Sequence, residues 1–315
     1  MNYHTKTKSL AFSLIFILPL LAIYEVWLIQ TEPSVVNAAG DLARLPLEYL
    51  SLIIRRFGET NMLTGAVLLN VLFIVLCLIA LIKFRKDGIP GPSYFVVTLL
   101  ESILYGLLLT QAATLPSYFT TPESTQTLAM SGVPQSKLDL IMLSVGAGVY
   151  EEIMFRLLVV GGLFFLGKFI FEHRKLNLAI ILLVSVTLVG AFLKQLALPG
   201  EVQGVKGFIK GFILDAPLFA GIGLLILSFH CALIWLLIKV KVKPVWAAAA
   251  VSVVIGSLLF AAFHHLGPMG EPLVAYVFFF RFMAGLLLSI IFQFRGLGIA
   301  VYTHAAYDVI VVLAA

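Results

Sequence analysis

The sequence predicts an all-α fold, a polytopic transmembrane helix bundle of about eight or nine spans, and three observations carry that reading. Apolar residues make up 61% of the 315 while charged residues make up only 12%, with a mean hydropathy of +1.07; a soluble domain carries about 25% charged residues. The apolar residues come in runs near twenty long, the length that crosses a hydrocarbon layer as a helix. The net charge of +5 is spread through short loops between those runs, where it sets topology rather than forming a nucleic-acid footprint. The lipid bilayer is therefore an expected partner and nucleic acid is not. Both cysteines, Cys77 and Cys231, fall in apolar runs and read as buried small hydrophobes, not as a disulfide framework.

Each element follows from the same logic. Residues 1–8 followed by the apolar run 10–29 look at first like a secretory signal. That run is too long for a signal core and no small-residue cleavage site follows closely, so it is read as a retained first span. Residues 30–61, with Pro33, Asn37, Gly40, Arg44, Arg55, Arg56 and Glu59, form an interfacial or amphipathic connection. Further spans are predicted at 62–83, 92–113, 139–170, 176–197, 212–238, 245–265, 272–294 and 297–315. The run 139–170 is too long for one simple crossing, so part of it is expected in the interface or as a separate short helix. The Thr-, Ser- and Pro-rich stretch 114–137 reads as an exterior loop, and the glycine-rich stretch 199–211 as a connection with little reason to pack. Two parts are expected: N-terminal spans and loops over 1–138, and a core over 139–315 carrying an inserted pair of spans near 176–238.

Loop charges orient this arrangement. With the N-terminus inside, the inner segments hold Lys6, Lys8, Lys83, Arg85, Lys86, Lys168, Arg174, Lys175, Lys239, Lys241, Lys243 and Arg295. The outer segments hold Arg44, Arg55, Arg56, Lys137, Lys194, Lys206 and Lys210. The excess of basic residues on the first side places the N-terminus in the cytoplasm, in a multi-pass protein of a prokaryotic cytoplasmic membrane.

Charged residues inside apolar spans carry the functional signal, because each costs roughly 2.5–3.5 kcal/mol on insertion scales. Glu151, Glu152 and Arg156 lie in one run. Glu152 and Arg156 are four apart and share a helix face, so they can pair; Glu151 lies about 100° round the helix, available for another task. Phe260 and His264 share a face in the same way, as do His304 and Asp308 in the last span. His265 points elsewhere, toward the interface. Together the three clusters suggest one polar chamber enclosed by three helices. A buried carboxylate beside a neutral imidazole can take a proton from water, and a second imidazole can stabilise an oxyanion. The same residues could instead ligate zinc or another divalent metal, pin helices, or relay protons in a transporter.

The patterns Glu151-Glu152-x-x-x-Arg156, Phe260-x-x-x-His264 and His304-x-x-x-Asp308 occur in the order and helical setting of the CPBP family. Its members are the CAAX-prenyl-protease and bacteriocin-processing intramembrane proteases, with motifs EExxxR, FxxxH and HxxxN or HxxxD. The resemblance covers about residues 139–315. It implies hydrolysis of a peptide bond in a membrane-embedded or lipidated substrate, without a cofactor. By it Glu151 is the general base that activates water and His264 its partner on that water. His304 and Asp308 would form the oxyanion site, Glu152 and Arg156 would hold the motif helix, and Phe260 would shape the pocket. Two departures are visible. Glu151 and His264 are separated by room for two further spans, and Asp308 stands where asparagine is commoner, so it must be protonated to donate to an oxyanion, or else orient His304 or bind a metal, of which orienting His304 is favoured. The alternatives to this peptidase are a non-catalytic transporter or scaffold, and a metal-dependent membrane hydrolase.

Some expectations concern position. The spans put His264 near the outer end of its helix and His304 about seven residues from the inner end of the last, an offset of tens of ångströms at about 1.5 Å per residue. Glu101 and Arg281, each alone in its span, are expected to pair. Glu25 and Asp215 are expected near span ends, His173 and His230 as interfacial or packed residues, and Phe278, Phe279 and Phe280 as packing.

Overall fold

The computed structural model describes residues 3–30, 75, 77–79, 81–82, 90–112, 136–172, 176–177, 180–181, 183–185, 204–265 and 272–314. No strand occurs among them, as hydrocarbon requires: an open sheet edge has no water to bond, whereas a helix satisfies its own backbone. The elements are α1 (Tyr3–Thr7), α2 (Leu10–Gln30), α3 (Pro92–Ala112), α4 (Lys137–Glu151), a π-helical segment (Glu152–Val160), α5 (Gly161–Phe171), α6 (Gly204–Lys239), α7 (Pro244–Phe263), α8 (Ala275–Arg295) and α9 (Leu297–Ala314).

Seven helical stretches among the described residues are long and apolar enough to cross a membrane: Leu10–Trp27, Pro92–Ala112, Lys137–Phe171, Asp215–Lys239, Pro244–Phe263, Ala275–Arg295 and Leu297–Ala314. The protein is an all-α, multi-pass integral membrane protein. The spans expected at 62–83 and 176–197 and the connections at 30–61 and 114–137 lie mostly outside the described residues, as does His173. Leu100, Leu104 and Leu108 on α3 are more than half exposed, the normal state of a lipid-facing surface.

Two expectations about helix extent are corrected. The long run does not begin as a separate short helix: Lys137–Phe171 is continuous over 35 residues, changing from α to π at Glu152 and back at Gly161. A π segment inside an α-helix widens the coil through i→i+5 bonding and is often found at functional sites. The glycine-rich stretch is not an irregular connection throughout, since α6 already starts at Gly204. Each glycine costs about 1 kcal/mol relative to alanine, yet every residue added to an existing helix brings a backbone hydrogen bond.

The chain divides into two compact units. One comprises Met1–Arg44, Leu69–Val159 and Gly256–Ala315; the other comprises Leu45–Leu68 and Val160–Ile255. In the first, α9 is the central helix, packed on α2, α3, α4 and α8. Small residues allow this. A Cβ at Gly148 on α4 would lie 2.8 Å from the backbone nitrogen of Ala305 on α9, so the two backbones meet where only hydrogen fits, as small residues permit at membrane helix contacts. The α2–α4 contact is polar as well as tight: Tyr150 donates to the buried Glu25 at 2.6 Å and the Trp27 indole donates to Asp139 at 3.2 Å. Ser136 and Asp139 form a capping box that starts α4, satisfying orphan N–H groups at the helix end.

The N-terminal end of this unit holds the partner of Glu101. It is Arg295, not Arg281: the Arg295 Nε and Nη2 groups grip the two Glu101 oxygens, the second at 2.6 Å. Arg281 sits fourteen positions earlier on α8, about 21 Å away along the axis, so helix register decides the pair. Tyr3 and Tyr105 also donate to Glu101, at 2.9 and 3.0 Å. Burial and the neighbouring carboxylate hold the Tyr3 phenol above its ordinary range, so it stays a donor. Gly296, at φ +91°, turns the chain from α8 into α9 against the Lys8 backbone, where a Cβ would lie 2.7 Å from the Lys8 carbonyl oxygen. Both facts require glycine there.

In the second unit α5 packs on α6. His230 is fully buried and bonds the Ser252 hydroxyl at 3.1 Å, a packed histidine. The Ser252 hydroxyl donates to the Ala248 carbonyl at 2.7 Å, so the imidazole Nε2 is the donor of the pair. Cys231 in this unit is half-buried, Cys77 in the first is buried, and both are free thiols.

Candidate active site

The three charged clusters meet within the first unit, on α4 with its π extension, the end of α7, and α9. The expected depth offset between His264 and His304 is corrected by the packing. The Phe260 ring lies 4.6 Å from the His264 ring and 6.5 Å from the His304 ring, centroid to centroid. The offset assumed that each helix end marks a membrane surface. Instead α7 stops at Phe263 and leaves His264 in the turn beyond it, level with the middle of α9.

The two adjacent carboxylates have different surroundings. Glu152 is fully buried and has two partners: Oε1 is hydrogen-bonded to His304 Nδ1 at 2.8 Å, and Oε2 is ion-paired with Arg156 Nε at 3.0 Å without hydrogen-bond geometry. The Gly148–Ala305 contact lies one helical turn before Glu152 and beside His304, and it is what lets residues on α9 and the π segment touch. Arg156 is also fully buried. Its guanidinium lies 4.3 Å over the Phe260 ring, a cation–π contact that gains strength without water. None of the three Arg156 guanidinium nitrogens, nor Glu152 Oε2, has a hydrogen-bond partner among the described residues.

Glu151 has one polar neighbour within ion-pair range among the described residues, His264, with Oε2 to Nε2 at 3.9 Å. That separation is too long for a direct hydrogen bond and is one at which a bridging water is to be considered. The His264 Nδ1 atom lies 2.8 Å from the Phe260 carbonyl oxygen. A carbonyl only accepts, so Nδ1 carries a proton, and in the neutral ring Nε2 presents a lone pair toward Glu151. This bond needs the Phe260–His264 spacing of four and the end of α7, where the carbonyls of the last turn lack helical partners.

His304 is bracketed by carboxylates. Its Nδ1 faces Glu152 at 2.8 Å and its Nε2 faces Asp308 Oδ2 at 3.4 Å. Asp308 thus stands where it can orient the ring, and its contact is the longer of the two. Phe260 acts as a wedge: its ring meets Phe155 edge-on at 5.1 Å, and Gly285 on α8 makes room for it, since a Cβ there would fall 2.9 Å from the Phe260 ring.

One residue of the site escaped the sequence reading. Arg281 on α8 is within electrostatic range of Glu151, Asp308 and Tyr307, whereas Glu101 is held by Arg295. The signal was present, a lone arginine in an apolar span, but its partner depends on helix register. His265 is half-buried and stacks on Phe278 at 5.9 Å. Phe279 is about half exposed, and Phe280 packs against Leu109, Leu288 and Tyr307.

Among the described residues no three His, Cys, Asp or Glu side chains are grouped so as to hold a metal ion. The chain matches no protein-family model, no curated protein and no solved structure.

Proposed function

We propose that this chain is an intramembrane endopeptidase of the kind its three motifs resemble, the CPBP type. The observation that carries the reading is the unequal pairing of two neighbouring carboxylates: Glu152 is ion-paired with Arg156 and hydrogen-bonded to His304, while Glu151 faces the His264 ring across 3.9 Å. Nothing in a scheme of helix pinning needs the second acid. Water activation needs it.

In this reading a water between Glu151 and His264 donates one hydrogen bond to each. Glu151 takes the proton as the water oxygen attacks the scissile carbonyl carbon, and the resulting tetrahedral intermediate carries the negative charge on the former carbonyl oxygen. The His304 Nε2–H, oriented by Asp308 across the longer 3.4 Å contact, turns to that oxyanion, and Arg281 adds positive charge beside it. Glu151 then returns its proton to the leaving nitrogen as the C–N bond breaks. Arg156 and Glu152 hold the helix, and Phe260 holds the His264 tautomer through its carbonyl.

The substrate class is a membrane-embedded or lipidated peptide, since the acids lie inside helices that cross the bilayer. The excess of basic residues in alternate loops supports an N-terminus in the cytoplasm of a prokaryotic cell. The test uses the full chain in proteoliposomes with membrane-anchored and lipidated reporter peptides. Cleavage by wild type that disappears in Glu151→Gln and His264→Ala, with both variants folded, is expected; cleavage unchanged in Glu151→Gln overturns the scheme. Elemental analysis of wild type, Glu151→Ala, His264→Ala and His304→Ala belongs beside it. Near-stoichiometric zinc, lost in all three variants, would replace carboxylate-activated water with metal-activated water.

A further inference from the structure

At the N-terminal end of the first unit, His4, Thr5, Lys8, Ser9 and Phe294 line a shallow groove of about 380 Å³. We propose that this groove binds the phosphate of an anionic phospholipid in the leaflet on the N-terminal side of the protein.

The argument starts from Arg295. Its Nη1 donates to His4 Nδ1 at 2.9 Å, and a guanidinium has no acceptor to offer. His4 therefore accepts at Nδ1 and carries its own proton on Nε2, on the side of the ring away from Arg295. Arg295 is itself fixed by Glu101, so the imidazole is preset as an N–H donor. Lys8 follows four residues later, near the same side of the chain, and both residues are exposed. The Ser9 hydroxyl is already committed, donating to the Lys6 carbonyl at 2.8 Å and accepting from Phe12 N–H at 3.2 Å. What the groove offers a ligand is one imidazole N–H and one ammonium. Two donors of that kind call for an oxyanion, and Glu101, the carboxylate closest to them in this network, is fully engaged by Arg295, Tyr3 and Tyr105.

The flanking residues say which anion. Phe294 is 53% exposed and sits one residue before the end of the membrane-crossing α8; Leu10, 50% exposed, starts α2. The cationic groove thus lies where two spans leave the hydrocarbon, the depth of lipid headgroups. A phosphate bridging His4 and Lys8 would send its acyl chains down past Phe294 and Leu10. Inorganic phosphate would use only the two donors.

Native mass spectrometry of the detergent-purified full chain, titrated with phosphatidylglycerol or with phosphatidylcholine of the same acyl chains, tests this. The first phosphatidylglycerol is expected to bind about tenfold more tightly than phosphatidylcholine, the scale of one to two cations near an anionic headgroup. Lys8→Gln and His4→Phe should each remove most of that preference. Lys6→Gln is the control: Lys6 lies 5.6 Å over the Tyr94 ring and does not line the groove, so its loss should leave the preference in place. Equal binding of the two lipids, or the same loss in Lys6→Gln as in Lys8→Gln, overturns the proposal. Displacement of phosphatidylglycerol by millimolar inorganic phosphate overturns it too, and makes the groove a site for a soluble anion.

Discussion

Two ion networks stand in the same compact unit, and they are built differently. At the N-terminal end the half-buried Glu101 has partners on both oxygens: Arg295 grips the two of them, two tyrosines donate to it, and Arg295 spends a further N–H on His4. Around Glu151 the bonding is left open. His264 stands 3.9 Å off, Asp308 reaches His304 only at 3.4 Å, and the three guanidinium nitrogens of Arg156 have no hydrogen-bond partner among the described residues. Burying a charge in hydrocarbon is costly unless its partners satisfy it. The closed network has the form that holds helices together, and the open one has the form that receives something else.

The comparison can be broken most sharply at Glu151. Glu151→Gln should lower peptide hydrolysis about a thousandfold, near 4 kcal/mol of barrier, while the thermal unfolding midpoint in detergent stays close to wild type. The opposite behaviour is expected at Glu101. Glu101→Ala should cost about 3 kcal/mol of stability by stranding Arg295, read as a fall in that midpoint, and the double variant Glu101→Gln with Arg295→Met should recover part of it. Arg281→Gln, which removes positive charge near Glu151 and Asp308, should lower turnover about tenfold, roughly 1.4 kcal/mol, with Arg281→Lys restoring part of the rate. The smallest effect belongs to the closed network's edge. Tyr3→Phe removes one hydrogen bond to Glu101 and should cost about 1 kcal/mol of stability, with hydrolysis unaffected.

Much of the candidate site was legible in the sequence, because charge in an apolar span is conspicuous whatever the helix contacts are. Glu152 with Arg156, Phe260 with His264, and His304 with Asp308 are pairs within one helix, and a spacing of four places them on one face without any knowledge of the fold. What could not be read depends on how one helix slides past another. The partner of Glu101 is Arg295 rather than Arg281 because of helix register, and only the close passage of Gly148 by Ala305 puts Glu152 against His304. The level of His264 was misjudged because an apolar run does not reveal how deep a helix end lies beside its neighbours, and the end of α7 at Phe263 packs against the middle of α9. The π segment had no signal in periodicity, since Glu152 and Arg156 remain neighbours in either coil.

The most direct test of the open network is the set of protein termini in membranes of cells expressing wild type, Glu151→Gln or His264→Ala at matched levels of folded protein. Carboxylate-activated water predicts termini within or beside membrane segments that appear with wild type and are lost in both variants. Identical termini in all three would contradict it, and would return Glu151 to the role of a helix-pinning or proton-carrying acid.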